Sequence, residues 1–273
     1  MNKFEIENHE PSFLPDGEWK LAWADEFDGT ELDRTKWDYR RSMMGVPWPA
    51  WTDQGVHLDG NSNAVFTLML DDKGNPVSSQ LQTGYNFMDE PVVKTTFGSD
   101  DIQWKVGKLH KPLFEHTYGY YECRCRLQQK EGWWSAFWIQ SSTIGASLDS
   151  RRTGTEIDVM ECFTPGKIVE HYLHTGGYGL DRVSVGVGQK RDLDKTVFHR
   201  FGVKWDTNGY TFYIDGEEVG QSDANPSDCP QFILITTEVM GYRGTERCPV
   251  DKAFENVGDT FVVDYVRVFD EIK

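Results

Sequence analysis

The fold class is indicated by one stretch of the chain, Tyr118-Gly-Tyr-Tyr-Glu-Cys-Arg-Cys-Arg-Leu127. The odd-numbered positions from 121 onward are Tyr121, Cys123, Cys125 and Leu127, whereas the even-numbered positions carry mainly charged side chains. Successive side chains of a β-strand point to opposite faces of the sheet, so the alternation predicts a strand with one face in the core. The two cysteines are then expected to act as small buried apolar side chains rather than as a mutual disulfide.

Turn signals divide the rest of the chain into short segments. Residues 210–214 lie between Asn208-Gly209 and Asp215-Gly216, two dipeptides that favour the positive φ values of tight hairpin turns. Many short strands without alternating helices predict an antiparallel sandwich or barrel rather than a parallel α/β sheet. Further strand candidates are residues 64–70, 136–140, 155–160, 170–174, 199–205, 232–239 and 260–269.

The length of 273 residues suits one large domain with a substantial core. Residues 1–18 are polar and interrupted by Pro11 and Pro15, so they are expected to form an N-terminal arm rather than strands. Residues 19–273 are expected to form a single domain that carries the function. The segment 40–51 is loop-like and rich in aromatic residues, as the rim of a cleft would be.

The composition of the chain excludes some classes of binding partner. The net charge of −16 argues against nucleic acid and against anionic membranes, because phosphate binding needs clustered Lys and Arg. A neutral or weakly charged substrate fits better. Aromatic residues make up 14% of the chain, with ten Trp, and their flat rings suit stacking on sugar faces as well as packing in a core.

Cysteine usage and the N-terminus bear on the compartment. Five cysteines are an odd number, so at least one thiol stays unpaired or pairs with another chain, and no zinc spacing occurs. Residues 1–14 hold no apolar stretch long enough for a signal peptide, and no transmembrane run follows. Taken literally the chain is cytoplasmic, but a secreted chain whose signal peptide had been removed would read the same.

The most informative segment for function is Gly154-Thr-Glu-Ile-Asp-Val-Met-Glu161, which places three acids within six residues of a β-forming stretch. On a regular strand Glu156 and Asp158 share one face, and Ile157 points into the core. Glu161 has the wrong parity for the face of the other two acids unless an extra residue is inserted near Met160. We therefore predict a β-bulge there, a device that re-aims side chains next to active sites.

Crowded carboxyl groups are unfavourable, because like charges a few ångströms apart raise one another's pKa. In acid/base catalysis such raised pKa values keep one carboxyl group protonated while its neighbour is ionised. A retaining glycosidase needs one ionised carboxylate as nucleophile and one protonated carboxyl as general acid, about 5–5.5 Å apart. The residues alone leave two alternatives, a cation site and a solvated strand face, although adjacent like charges make a poor strand surface.

With these residues in place, the sequence resembles glycoside hydrolase family 16, whose signature is Glu-x-Asp-x-(x)-Glu on a strand. The chain has the longer form, which is typical of the bulged branch that includes laminarinases, agarases, porphyranases and κ-carrageenases. The resemblance implies a concanavalin-like antiparallel β-sandwich, or jelly roll, with a concave cleft. The other segments that match the family in order are residues 23–28, 118–126, 132–138, 205–216 and 263–269.

The resemblance also implies roles for residues. Glu156 is expected to be the nucleophile, Glu161 the acid/base, and Asp158 the residue that hydrogen-bonds the nucleophile. No cofactor is expected to be required for the reaction, but a structural calcium is common in the family and would lie at Glu26 and Asp264. The substrate-binding candidates are Trp138, Trp134, Trp133, His174, Glu238 and Asn61, of which Trp134 shares the parity of Trp138 and Trp133 does not.

The implied function is retaining, endo-acting hydrolysis of a β-1,3- or β-1,4-linked polysaccharide by a monomer. Ser135 stands where typical laminarinases have proline, which leaves glucan and galactan both open. Arg151 and Arg152 could meet sulfate groups on the substrate or offset the acidic cleft. Two alternatives remain for the function, a transglycosylase that uses a sugar hydroxyl instead of water and a lectin that binds sugars without catalysis.

Overall fold

The computed structural model describes residues 2–43, 46–89, 108–164, 168–177, 181–188, 190–239 and 248–272. Within these residues strands are the main regular element. In chain order they are β1 Asn2–Phe4, β2 Ser12–Leu14, β3 Glu18–Asp25, β4 Asp38–Tyr39, β5 Ser42–Met43, β6 Val46–Pro47, β7 Val56–Leu58, β8 Ala64–Thr67, β9 Met69–Leu70, β10 Pro76–Val77, β11 Gln80–Gln82, β12 Gly119–Arg126, β13 Trp134–Gln140, β14 Glu156–Thr164, β15 Ile168–Thr175, β16 Val183–Gly186, β17 His199–Asp206, β18 Gly209–Ile214, β19 Glu217–Ser222, β20 Phe232–Glu238 and β21 Thr260–Ile272.

The helices are short. They are a 3₁₀ turn at Phe87–Asp89, α1 at Ser150–Thr153 and α2 at Val250–Glu255. Within the described residues, no helix has both the length and the apolar character needed to cross a membrane.

Two large sheets form the body of the molecule. The seven-stranded sheet has the order β16-β15-β14-β13-β20-β11-β4 and carries the acidic segment on an inner strand. The eight-stranded sheet has the order β19-β18-β17-β12-β21-β8-β7, and β3 also pairs with β21. Neighbouring strands in both sheets are antiparallel, and one hydrophobic cluster contains residues of both sheets, so the predicted antiparallel β-sandwich is confirmed.

The core-facing parity of β12 is confirmed, although the opposite face is also partly covered, with Glu122 fully buried. Tyr121, Cys123 and Cys125 are fully buried in the core between the sheets, and all five cysteines of the chain are free thiols. The predicted hairpin also forms, because Asp215 and Gly216 adopt φ values of 51° and 80° between β18 and β19. Positive φ at both central residues is what a tight hairpin turn requires.

The N-terminal residues differ from the prediction of an arm without strands. β1 and β2 pair as a hairpin that covers part of the outer face of the eight-stranded sheet. The ring of Phe4 packs edge-on against Phe269 with centroids 5.1 Å apart, and the backbone N–H of Phe13 donates to the buried Glu122 carboxylate. The prediction was wrong because a three-residue strand is too short to show alternation, and the residues that the hairpin packs against lie far away in the sequence.

Candidate active site

A β-bulge in β14 brings the acids to one face. Phe137 of β13 lies opposite Met160, but the next residue of β13 lies opposite Asp158, so Val159 has no partner in the register. Val159 and Met160 therefore both point into the core, where each is fully buried. The bulge predicted near Met160 is confirmed, and it turns Glu161 back to the face of Asp158.

The three acids are buried in this face of the sheet. Glu156, Asp158 and Glu161 have relative exposures of 5%, 4% and 4%. Across the strands, Asp158 lies between Trp138 and Tyr172. The acids therefore share the concave side of the seven-stranded sheet, as the sequence predicted, and none of them decorates a solvated strand.

The imidazole of His171 holds the bulge from the core side. Its Nδ1 lies 2.6 Å from the carbonyl oxygen of Val159, so the neutral ring donates its N–H to the backbone of the bulge. Burial lowers the pKa of His171 from 6.5 to about 4, which keeps the ring uncharged near neutral pH. Sequence reasoning did not select this residue, because its parity takes it away from the cleft.

Glu156 is oriented by a side-chain amide. Gln140, at the end of β13, donates from Nε2 to the Oε2 of Glu156 at 2.7 Å. The amide of Gln140 is fixed in turn, because Asn86 donates from Nδ2 to its Oε1 at 2.8 Å. Both amides are almost fully buried, so this chain of hydrogen bonds is shielded from competing water.

Asp158 is paired with His174. The His174 Nε2 lies 3.1 Å from the Asp158 Oδ2, and its Nδ1 lies 2.7 Å from the Ser184 hydroxyl. The Nη2 atom of Arg182 lies 3.1 and 3.2 Å from the two ring nitrogens, which places the guanidinium over the imidazole. The structure thus brings His174 to the acids, whereas Arg182 and Ser184 had no signal in the sequence.

A further acid lies beside Glu161. Glu170 of β15 is its cross-strand neighbour and is 6% exposed. Its carboxylate forms an ion pair with Lys190 at 2.5 Å, which offsets the added negative charge. Pairing across β14 and β15 could not be read from the sequence, because the register depends on the bulge.

Among the described residues, Glu156, Asp158 and His174 also form a group whose ligand atoms lie within 4.8 Å of one another, close enough to hold a metal ion. Gln140 already donates a hydrogen bond to Glu156, and the His174 Nε2 lies 3.1 Å from the Asp158 Oδ2. These contacts also suit carboxylates that act on a substrate without a metal ion.

Two of the predicted aromatic residues lie on the concave face. Trp138 is half-buried, donates from Nε1 to the Thr236 hydroxyl at 3.0 Å and has the Arg40 guanidinium 5.7 Å from its ring centroid. Trp134 lies opposite Glu238 in the register and stacks on Phe163 with centroids 5.1 Å apart. Trp138 can therefore offer a ring edge or face to a sugar, whereas Trp134 is largely covered.

Two predicted substrate contacts are wrong. Trp133 is fully buried in the core between the sheets, and its indole N–H donates to Asp259, because parity places it opposite Trp134. Asn61 lies in the exposed turn between β7 and β8 of the other sheet, where its backbone N–H donates to Asp59. Trp133 is therefore shut off from the concave face, and Asn61 belongs to an edge turn of the other sheet.

The predicted calcium ligands do not fit a cation held by both side chains. Arg267 donates from Nε and Nη2 to the two carboxylate oxygens of Glu26, at 2.9 and 2.7 Å. Arg124 donates to Asp264 at 2.5 Å. Each carboxylate thus already has a guanidinium partner, and a divalent ion would have to displace both.

Arg151, which precedes the acidic strand, has a partner on the surface. Arg151 of α1 donates to both carboxylate oxygens of Asp228, at 2.9 and 3.0 Å, on the exposed surface. It therefore offsets a surface carboxylate rather than the buried acids.

The buried carboxylates form a row on the concave sheet, where the bulge re-aims Glu161 and Trp138 forms one wall. This arrangement fits a β-sandwich enzyme that acts on sugar chains. The comparisons with known proteins agree. The sequence pattern of the glycosyl hydrolases family 16 matches residues 51–257. The chain belongs to this family, whose members hydrolyse O-glycosyl bonds, and the resemblance and fold class predicted from the sequence are confirmed.

Individual relatives are more distant. The chain is 27% identical to glucan endo-1,3-beta-glucosidase A1 of Niallia circulans and 27% identical to the beta-glucanase of Rhodothermus marinus, over 92% of its length in both cases. It spans 38% of the first protein and 85% of the second. Its fold is similar to that of the laminarinase catalytic domain from Thermotoga petrophila RKU-1, with a TM-score of 0.66, 22% identity and coverage of 94% of this chain and 100% of that one.

Proposed function

We propose that the protein is an endo-acting glucanase that cleaves β-1,3- or β-1,4-linked glucan chains with retention of anomeric configuration. The observation that carries this proposal is the bulge, because it places Glu161 on the face of Glu156 in a buried acidic row. The names of the two glucan-cleaving relatives support glucan as the substrate.

In the first step the carboxylate of Glu156 attacks the anomeric carbon while Glu161 donates a proton to the leaving oxygen. The bond to the leaving sugar breaks as the Glu156 ester forms, and no net charge is created in the site. In the second step Glu161 removes a proton from water, which attacks the same carbon and releases Glu156. The hydrogen bond from Gln140 Nε2 fixes the attacking carboxylate.

The neighbouring residues support this division of roles. Asp158 is held by His174 at 3.1 Å and stands between the two reacting acids on the strand. Trp138, its cross-strand neighbour, forms a wall against which the sugar next to the scissile bond would pack. Glu238 lies further along the concave face, opposite Trp134, where it would bind sugar hydroxyls.

The test is reducing-end release from a panel of laminarin, mixed-linkage β-glucan, agarose, porphyran and κ-carrageenan. We expect wild-type chain to cut one of the two glucans into short oligosaccharides, with viscosity falling early, as endo action requires. Glu156→Gln should abolish the release, whereas Glu217→Gln, an exposed change in β19 on the other sheet, should leave it intact. Full activity of Glu156→Gln would contradict the assignment of the nucleophile.

Other outcomes of the same panel point to the alternatives. Release from galactans alone would replace glucan as the substrate. Oligosaccharide products longer than the supplied acceptor would indicate transglycosylation. Binding without release from any member would favour the lectin.

We further propose that the chain acts as a monomer and binds neither nucleic acid nor anionic membranes, which its net charge of −16 supports. Light scattering after size exclusion should give a mass near 31.4 kDa. A stable dimer mass would contradict the monomer.

A further inference from the structure

A cavity lies at the end of the concave sheet that is farthest from β16. It has a volume of about 530 Å³ and is lined by side chains near β4, β11 and the 3₁₀ turn. This volume is in the range of small-molecule binding pockets, about 300–1,000 Å³. It opens three to four strands from the catalytic strand, or about 14–19 Å at the usual spacing of about 4.7–4.9 Å between strands.

A single cross-strand row connects this cavity to the acids. Residues that lie directly opposite one another in neighbouring strands share one face of the sheet. The row begins with the cavity residues Asp38 and Gln82 and ends at the catalytic strand. Its members, in order, are Asp38, Gln82, Leu234, Trp138 and Asp158. Leu234 is fully covered, so a sugar chain would not contact every member, but a chain that runs past Trp138 in the direction of this row reaches the cavity.

The arginine side chains that line the cavity form ion pairs with aspartates. Arg34 pairs with Asp38, and Arg41 pairs with Asp53 at 2.6 Å. Arg40 donates from Nε and Nη2 to the two carboxylate oxygens of Asp89, at 3.1 and 3.2 Å. An added sulfate or carboxylate would have to compete with an aspartate for each guanidinium and would face the aspartates themselves. Hydroxyl groups, in contrast, can hydrogen-bond to the edges of such pairs without disturbing them.

One polar group in the wall lacks a partner. Gln82 is 4% exposed, and its Oε1 accepts no hydrogen bond from the residues that the structure describes. A buried carbonyl oxygen without a donor is unfavourable. A hydroxyl group of a ligand in the cavity would supply the donor.

Two hydrogen bonds also connect the wall of the cavity to the nucleophile. Asn86 lines the cavity and donates to Gln140, which donates to Glu156. A ligand that contacts Asn86 therefore bears on the group that orients the attacking carboxylate. Occupation of the cavity is expected to change kcat and not KM alone.

We propose that this cavity is a remote subsite for an uncharged sugar unit, that Gln82 is its specificity-determining residue, and that Asn86 and Gln140 are positioning residues that link it to Glu156. The proposal rests on the proposed function, since the same polysaccharide chain fills both sites. We expect polysaccharide chains with an unsubstituted sugar in the cavity to be hydrolysed in preference to chains with a sulfated or acidic sugar there.

The test is the hydrolysis of β-1,3-linked gluco-oligosaccharides of two to seven units. In the wild-type chain, kcat/KM should rise with length and show a step, in kcat as well as KM, at the length that first fills the cavity. Gln82→Leu should reduce this step about tenfold. Asn86→Leu should remove its kcat component. The control Gln221→Leu, an exposed change in β19, should leave the step unchanged.

A second measurement needs no substitution. The wild-type chain is given the longest oligosaccharide with one sulfate on a terminal unit, placed at either end in turn. We expect sulfate at one end to reduce kcat/KM to that of the oligosaccharide that lacks this unit. Equal hydrolysis of sulfated and unsulfated substrates, or an undiminished step in Gln82→Leu, would overturn the subsite. No hydrolysis at any length, together with no release from laminarin or mixed-linkage β-glucan, would overturn the proposed glucanase function and, with it, the subsite.

Discussion

Replacing His171 by asparagine tests how the bulge that aims Glu161 is held. In the wild-type chain the His171 Nδ1 lies 2.6 Å from the Val159 carbonyl, and the ring is 2% exposed. Burial lowers the pKa of His171 to about 4, against 6.5 for an ordinary histidine. Asparagine can place its amide N–H near the position of Nδ1, so the substitution keeps a donor and removes the titration.

The sign of the pH effect follows from these two values. Between pH 6.5 and pH 4 the unfolded chain binds a proton at His171 more readily than the folded chain does, so stability rises with pH in this window. The contribution of neutral His171 is fully present above pH 6.5. It falls by about 1.4 kcal/mol at pH 5.5 and by about 3 kcal/mol at pH 4.

The assay is urea unfolding at pH 7, 5.5 and 4, followed by tryptophan fluorescence. Between pH 7 and pH 4 the wild-type chain should lose about 3 kcal/mol more unfolding free energy than His171→Asn. His199→Asn is a control of opposite sign, because the hydrogen bond to Asp215 raises the pKa of His199 and its contribution is lost as pH rises. Equal losses in wild-type chain and His171→Asn would refute the role of the neutral ring.

Three further predictions use other contacts of the site. Trp138→Ala should raise KM at least about tenfold with little change in unfolding free energy, whereas Trp133→Ala should lose about 3–5 kcal/mol of stability; the reverse pattern in kinetics and urea unfolding would contradict their placement. Gln140→Leu should lower kcat about 10–100-fold, because it removes a hydrogen bond to a charged group worth about 1.5–3 kcal/mol; an unchanged kcat would mean that the bond does not orient the nucleophile. Glu26→Gln should cost about 3–5 kcal/mol, since it leaves the buried Arg267 without its ionic partner, while EDTA should not change the melting temperature; a large drop with EDTA would show a bound metal instead.

The sequence predicted the parts of the site that depend on local periodicity. The bulge followed from parity alone, because Glu161 could not otherwise share a face with Asp158. Parity also separated Trp133 from Trp138, and the structure has Trp133 fully buried. These predictions hold because side-chain direction along a strand is fixed by the backbone.

Features that depend on pairing between distant strands could not be predicted. Glu170 meets Glu161 only because β15 pairs with β14 in a register that the bulge shifts. Asn86 reaches Gln140 across 54 residues of sequence. The ion pair of Glu26 with Arg267 spans 241 residues, so a carboxylate that resembles a metal ligand in sequence has a guanidinium partner in the fold. Single-sequence patterns carry no information on such contacts.

The most direct test of the central claim is azide rescue of the two acids with an aryl β-glucoside oligosaccharide as substrate. Azide can replace either a missing nucleophile or the water of the second step, and the two cases give products of opposite configuration. We predict an α-glycosyl azide from Glu156→Ala and a β-glycosyl azide from Glu161→Ala, both read by proton NMR. The same anomer from both variants, or the reverse assignment, would contradict the account of Glu156 as nucleophile and Glu161 as acid/base.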